Sequence, residues 1–271
     1  MNEFSDALID LLAGRNENIE LDRAALQLAS IEFPGLDPDP FLRMLDDYSV
    51  GIADRVPDLS NGPKFVAAAN RYLFREIGLS GNADDYYHPH NSCLNQVLSE
   101  HKGIPITLSL IYIEVARRLA KPVRGIGLPG HFLVRYDDGE YSTFIDPFHG
   151  GRLLEDHDCY ALAQATVADP RMLAPVSKRQ IILRMIHNLR GIYVSQGAYA
   201  KELQILDLLV RADPDAAEEY KHRGLAHLRS RQMRAAKADL RRYLQLAPDA
   251  PDRGEIERQV RAIARWLATM N

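Results

Sequence analysis

Cys93, His131 and Asp146 are the residue types that together make a nucleophilic site. A thiolate would attack, an imidazole would shuttle the proton and a carboxylate would orient the imidazole, which suits chemistry at an amide or acyl carbon. Cys93 opens a stretch with helical spacing, Ser92 to about His101, where the helix dipole would favour the thiolate. The plainer reading is a small buried thiol at a helix start. Thr107 and Ser109 lie just inside the next helix, and a hydroxyl there would need a strong base and an oxyanion hole. His88-Pro89-His90 has the outline of a metal clip that His131 or His149 would complete. Its i, i+2 spacing in a proline loop shows no convergence, so neither a metal nor a cofactor is assigned.

A hairpin is expected to bring His131 to Asp146. Val123–Ile126, His131–Tyr136 and Tyr141–Ile145 alternate with strand period, and Asp138-Gly139 reads as a two-residue turn. That turn would set His131 opposite Asp146 and Leu133 opposite Phe144 on one face, with Phe132 opposite Ile145 on the other. Pro147-Phe148-His149-Gly150-Gly151 follows directly, either as a cleft wall or as a tight turn before a helix at Leu153–Ala163. Gly127-Leu128-Pro129-Gly130 would border the same end of the sheet. Upstream, apolar residues recur at helical spacing: Phe4, Leu8, Leu11, Leu12; Ala24, Ala25, Leu28, Ile31; Phe41, Leu42, Leu45, Tyr48; and Phe65, Ala68, Ala69, Tyr72. Leu79 to Pro89 reads as a loop, and a long apolar helix runs from Ile104 to Leu119.

From Ser177 the chain is helical and repeats itself. Pro214 and Pro248 stand 34 residues apart, and at that offset Tyr193 matches His227, Leu206 matches Leu240 and Leu209 matches Tyr243. This is the period of the tetratricopeptide (TPR) repeat, a helix pair closed by a proline. Gly224 would allow close helix packing; Arg190 stands there in the first copy. Gly197 would supply a turn that Arg231 must supply in the second. A last amphipathic helix, Arg253 to Met270, carries the only tryptophan, Trp266, and suits a cap.

Lys102-Gly103-Ile104-Pro105, the helix end from Ala116 to Arg124, Gly130-His131 and Ile145-Asp146-Pro147 together resemble the transglutaminase-like, papain-type core. The phrases NSCLNQVLSEHKGIPITLSLIYIEVARRL, GLPGHFLVR and IDPFHGG, with the N-terminal helices and the repeats, resemble the bacterial SirB-type family over nearly the whole chain. That family is classed as regulators of sirC-type expression. The resemblance implies a Gly-x-Cys helix start, with His131 and Asp146 in the two remaining catalytic roles. Counting along the helix puts the nucleophile position on Pro105. Proline opens a helix well but has no nucleophilic atom.

Composition agrees with an ordinary globular protein: 271 residues, 46% hydrophobic, 26% charged, two cysteines. So few cysteines, no signal peptide and no long apolar stretch lead us to expect a cytoplasmic protein without a membrane span. The net charge of −4 hides an acidic first part and a basic second: from Ser177 onward there are 18 Lys and Arg against 11 Asp and Glu. No nucleic-acid motif accompanies the basic part. The expected fold is mostly helical α+β. Residues 1–176 would form N-terminal helices and the papain/transglutaminase-like core (about 91–170) with a small antiparallel sheet; residues 177–271 would be TPR-like with a capping helix. The expected function is a non-catalytic, regulatory interaction module. A peptide would lie in the cleft by Gly130 and His149, and a partner in the TPR groove by Tyr220 and His227. The alternative is a cysteine amidase, protease or acyl-transferase using Cys93, His131 and Asp146.

Overall fold

The computed structural model describes residues 4–16, 18–56 and 58–270. They form a mostly helical α+β protein divided into two compact units, one within residues 17–189 and one within 1–16 plus 190–271. The division falls after Leu189, within the helix Lys178–Gln196, rather than at Ser177.

The larger unit opens with helices α2 (Leu21–Ala29), α3 (Asp39–Ala53) and α4 (Gly62–Arg71), which follow the predicted apolar stripes. After α5 (Leu94–Glu100) comes α6 (Pro105–Arg118), whose first eight residues are all buried. Proline at N1 suits this start, since its fixed φ is helical and an N–H there has no partner within the helix. Four antiparallel strands follow in sequence order: β3 (Val123–Leu128), β4 (His131–Asp137), β5 (Ser142–Asp146) and β6 (Arg152–Leu154). Helix α6 packs on β3 and β4. Leu133 and Phe144 join Ile126, Leu128, Leu154 and Cys159 in one apolar cluster, Cys159 coming from α7 (Asp156–Leu162). The helix expected from Leu153 therefore starts later, because Arg152–Leu154 pairs with β5 as an edge strand. Two short segments upstream, β1 (Ser80–Gly81) and β2 (Lys102–Gly103), pair in parallel.

The β4–β5 register corrects the expected one by two residues. Val134, not Phe132, opposes Ile145, and Arg135, not Leu133, opposes Phe144. The cause is Asp138, whose Oδ1 accepts the backbone N–H groups of Glu140 (3.0 Å) and Tyr141 (2.7 Å). The carboxylate thus builds a turn over residues 138–141 instead of the two-residue one. A slip of two preserves side-chain faces, whereas a slip of one would have inverted them.

In the smaller unit α1 (Asp6–Leu12) packs on the helix Tyr199–Ala212. Helices α8 (Lys178–Gln196), α9 (Tyr199–Ala212), α10 (Ala217–Arg229) and α11 (Met233–Leu246) fill the predicted repeat region, and α12 (Arg253–Thr269) follows. Helices α9 and α11 begin and end 34 residues apart. A Cβ on Gly224 would lie 2.8 Å from the Leu240 side chain, the close approach expected of a small residue. Gly197 (φ +67°) and Arg231 (φ 57°) take the same left-handed turn. Among the described residues no helix is long and apolar enough to cross a membrane.

Candidate functional site

His131 and Asp146 meet as expected, although by diagonal rather than direct cross-strand placement. His131 Nε2 lies 2.9 Å from Asp146 Oδ2, and His149 Nδ1 lies 2.7 Å from the same oxygen. Asp146 Oδ1 accepts the backbone N–H groups of Phe148 (3.1 Å) and His149 (3.3 Å), so both oxygens are engaged. Burial raises the pKa of Asp146, but hydrogen bonds and charge from His131 and then His149 outweigh it and hold the group below its usual range. Against an ionised carboxylate, each facing ring nitrogen is the N–H donor. Whenever that ring is neutral, His131 Nδ1 offers a lone pair, and it has no hydrogen-bond partner among the described residues.

The turn after Asp146 secures this arrangement. Gly151 donates its N–H to Asp146 O (2.9 Å) with φ +77°, and a Cβ there would meet Phe74 and Asn70 at 2.6–2.8 Å. The segment is thus a tight turn leading into β6. The Phe148 ring stands edge-on to His131, 6.1 Å between centroids. Among the described residues the donor atoms of His131, Asp146 and His149 alone form a group of metal-ligating size, within 4.8 Å of one another. His88 and His90 do not join it: His88 Nδ1 instead accepts the His90 backbone N–H (3.3 Å).

A cavity of about 200 Å³ opens beside His131. Ile104, Pro105 and Ile106 at the start of α6 form one wall, and Gly130, His131 and Phe132 another. Tyr86 closes it from the loop before α5, and Arg184 and Asn188 from α8. Buried Asn91 fixes the Tyr86 loop by donating through Nδ2 to Asp85 O (2.6 Å) and Tyr86 O (3.2 Å). Thus Pro105 does stand in the cleft with His131. Besides lacking a nucleophile, it lacks the backbone N–H that a residue there would offer to an oxyanion.

The candidate nucleophiles lie elsewhere. Cys93 N-caps α5, is fully buried, and its Sγ donates to Pro89 O at 3.5 Å; it does not line the cleft. Thr107 and Ser109 are buried too, with hydroxyls donated to Asn91 O (2.7 Å) and Phe132 O (3.4 Å). Cys159 is a core residue, and burial, then nearby carboxylates, pushes its thiol up to about 12. Neither cysteine is in a disulfide.

Tyr220 and His227 belong to the repeat unit and are held internally. The Arg223 and Arg242 guanidinium carbons stand 5.4 and 5.8 Å from the Tyr220 ring centre, and His227 Nδ1 bonds Gln232 Oε1 at 2.7 Å. Arg223 reaches both Asp239 oxygens at 2.8 Å and Asp207 at 2.9 Å, so part of the basic charge here is neutralised within the unit.

A buried helix starting against a His–Asp pair on an antiparallel sheet, followed by helical repeats, defines a transglutaminase-like core with a TPR module. Residues 39–187 match the family described as the transglutaminase-like superfamily, and residues 189–261 match the tetratricopeptide repeat. The chain is similar to a UPF0162 protein of Xylella fastidiosa, 38% identical over 241 residues and 86% of each chain. It is also similar to a UPF0162 protein of Pseudomonas aeruginosa, 28% identical over 248 residues and 90% of each. Mouse F-box only protein 21 is 30% identical over 183 residues, 63% of this chain and 29% of that protein. The chain belongs to the UPF0162 family and to the transglutaminase-like superfamily.

Proposed function

We propose that this protein is a non-catalytic interaction module whose transglutaminase-like cleft holds a segment of a partner protein, with the TPR unit adding a second surface. One observation carries the reading: the cleft is lined by His131, which Asp146 holds from behind, but it has Pro105 at the helix start and no thiol or aliphatic hydroxyl in its lining. An imidazole without a nucleophile still accepts an N–H, and the walls of Ile104, Ile106 and Phe132 supply apolar contact. The SirB-type resemblance adds that the binding is regulatory, and TPR grooves hold partner helices or tails. The active-cysteine alternative gains nothing from the fully buried Cys93.

The test is affinity selection of short synthetic peptides with free termini on the full-length chain, read by mass spectrometry. The expected result is a shared sequence pattern that disappears in Asn188→Trp, which fills the cleft, with every bound peptide intact. No pattern, a pattern indifferent to Asn188→Trp, or cleavage of peptides that stops in His131→Ala would overturn the reading.

A further inference from the structure

Arg184 is a half-buried cation without a counter-ion among the described residues. Its Nη2 donates to Leu128 O (2.6 Å) and His131 O (2.7 Å), and no carboxylate among the described residues comes within ion-pair distance. Arg118 and Arg223 show how this chain otherwise treats such a group: the first meets Asp22, Asp46 and Glu114, the second Asp207 and Asp239. A desolvated charge left alone is costly, and burial indeed lowers the Arg184 pKa. Nε and Nη1 have no acceptor among the described residues, and a Cβ on Gly127 would lie 3.3 Å from Nη1, so the glycine leaves room for the guanidinium.

Asn188 stands one helical turn further along the same face of α8, and its carboxamide makes no hydrogen bond to a described residue. The Tyr86 hydroxyl on the facing wall makes none either. The cleft therefore offers the donors of a guanidinium, an amide and a phenol, beside one acceptor, His131 Nδ1. No acidic residue lines it. A single guanidinium with an amide suits a carboxylate. The end of a peptide presents a carboxylate and, a few bonds away, an N–H, which is the complement of Arg184 with Asn188 on one side and His131 on the other. At about 200 Å³ the cavity is below the roughly 300 Å³ where pockets for drug-sized ligands begin, which favours one terminal residue over a threaded segment.

We propose that the cleft captures the C-terminal residue of a partner, with Arg184 and Asn188 binding its terminal carboxylate. This rests on the peptide-binding reading above and adds the part of the peptide that is read. The experiment measures binding of the full-length chain to two otherwise identical peptide arrays, one with free C-termini and one C-terminally amidated. Free acids should bind and amidation should weaken them tenfold or more, as the loss of a charge-assisted contact does. Because Arg184 also clamps the β3–β4 turn, the companion variant is Asn188→Asp, which leaves Arg184 in place and sets a negative charge beside both it and the bound carboxylate. It should weaken the acids tenfold or more and restore them partly at low pH. Acids and amides binding alike, or binding that follows internal Asp and Glu in amidated peptides, would overturn the terminal-carboxylate assignment and leave the peptide reading standing. Acid binding unchanged in Asn188→Asp would place recognition outside this cleft and overturn the assignment as well. No binding on either array would refute both.

Discussion

Asp146 holds four N–H groups on two buried oxygens, and its removal should be felt by the whole larger unit. In Asp146→Ala the exposed His149 ring rehydrates at little cost. His131, with 11% of its side chain exposed, and the Phe148 and His149 amides in the turn lose their acceptor. At about 1–3 kcal/mol for each buried group left unsatisfied, and with one or two of the three staying dry, the loss is about 2–4 kcal/mol. Asp146→Asn keeps an oxygen for the amides but turns an NH2 toward both rings, so His131 must move its proton to Nδ1; the cost is about 1–2 kcal/mol. Urea midpoints at constant slope measure both. Far-UV circular dichroism follows the whole chain, while fluorescence of Trp266, the only tryptophan, follows the repeat unit. Since the folded pKa of Asp146 is depressed, its stabilisation is present above the unfolded value, about 3.9, and is lost as pH falls through the folded one. The deficit of Asp146→Ala should therefore narrow in acid. An alanine variant within about 0.5 kcal/mol of wild type, the range of inert surface changes, would show that Asp146 does not hold the turn and His131 in place.

Two further outcomes follow from the structure. Burial, then repulsion from Asp22, pushes Glu114 up to about 7. A carboxyl raised in the folded state stabilises fully below its unfolded pKa of about 4.3, and that contribution is lost as pH rises through 7, on the order of 3–4 kcal/mol. Wild-type urea midpoints should thus fall between about pH 5 and 8, and Glu114→Gln should flatten the slope; parallel profiles would contradict it. Arg231 adopts φ 57° where its counterpart is Gly197. Relief of about 1–2 kcal/mol of left-handed strain, less the extra freedom of an unfolded glycine, should leave Arg231→Gly more stable by about 0.5–1 kcal/mol. A loss in the thermal midpoint of the fluorescence transition would be the wrong sign.

Much of this architecture was legible because it rests on periodicity. Helices α9 and α11 keep the 34-residue spacing of Pro214 and Pro248 to the residue. The His131–Asp146 pairing survived a register error because a shift of two leaves both side chains on one face. The error itself came from treating Asp138-Gly139 as backbone alone, when the Asp138 side chain dictates the longer turn. Strand β6 is three residues at a sheet edge, too short to show a period apart from the helix behind it. Arg184 and Asn188 escaped notice because α8 reads as the first repeat helix, although its beginning belongs to the larger unit. A signal was available: both polar residues interrupt a stretch in which Ile181, Ile182, Met185, Ile186 and Leu189 are buried. Buried Asn91, which shapes the Tyr86 wall, leaves no mark in any pattern, since its side chain bonds two backbone carbonyls and the Asn82 amide of one loop.

Whether this fold carries a working thiol separates an interaction module from an enzyme. The direct measurement is alkylation of the folded full-length chain with iodoacetamide at neutral pH, followed by intact mass and peptide mapping, with His131→Ala beside it. Cys93 and Cys159 should both remain unmodified until urea unfolds the chain, equally in wild type and variant. Rapid single modification of native Cys93 that is lost in His131→Ala would contradict it, because only a thiolate paired with that imidazole behaves so.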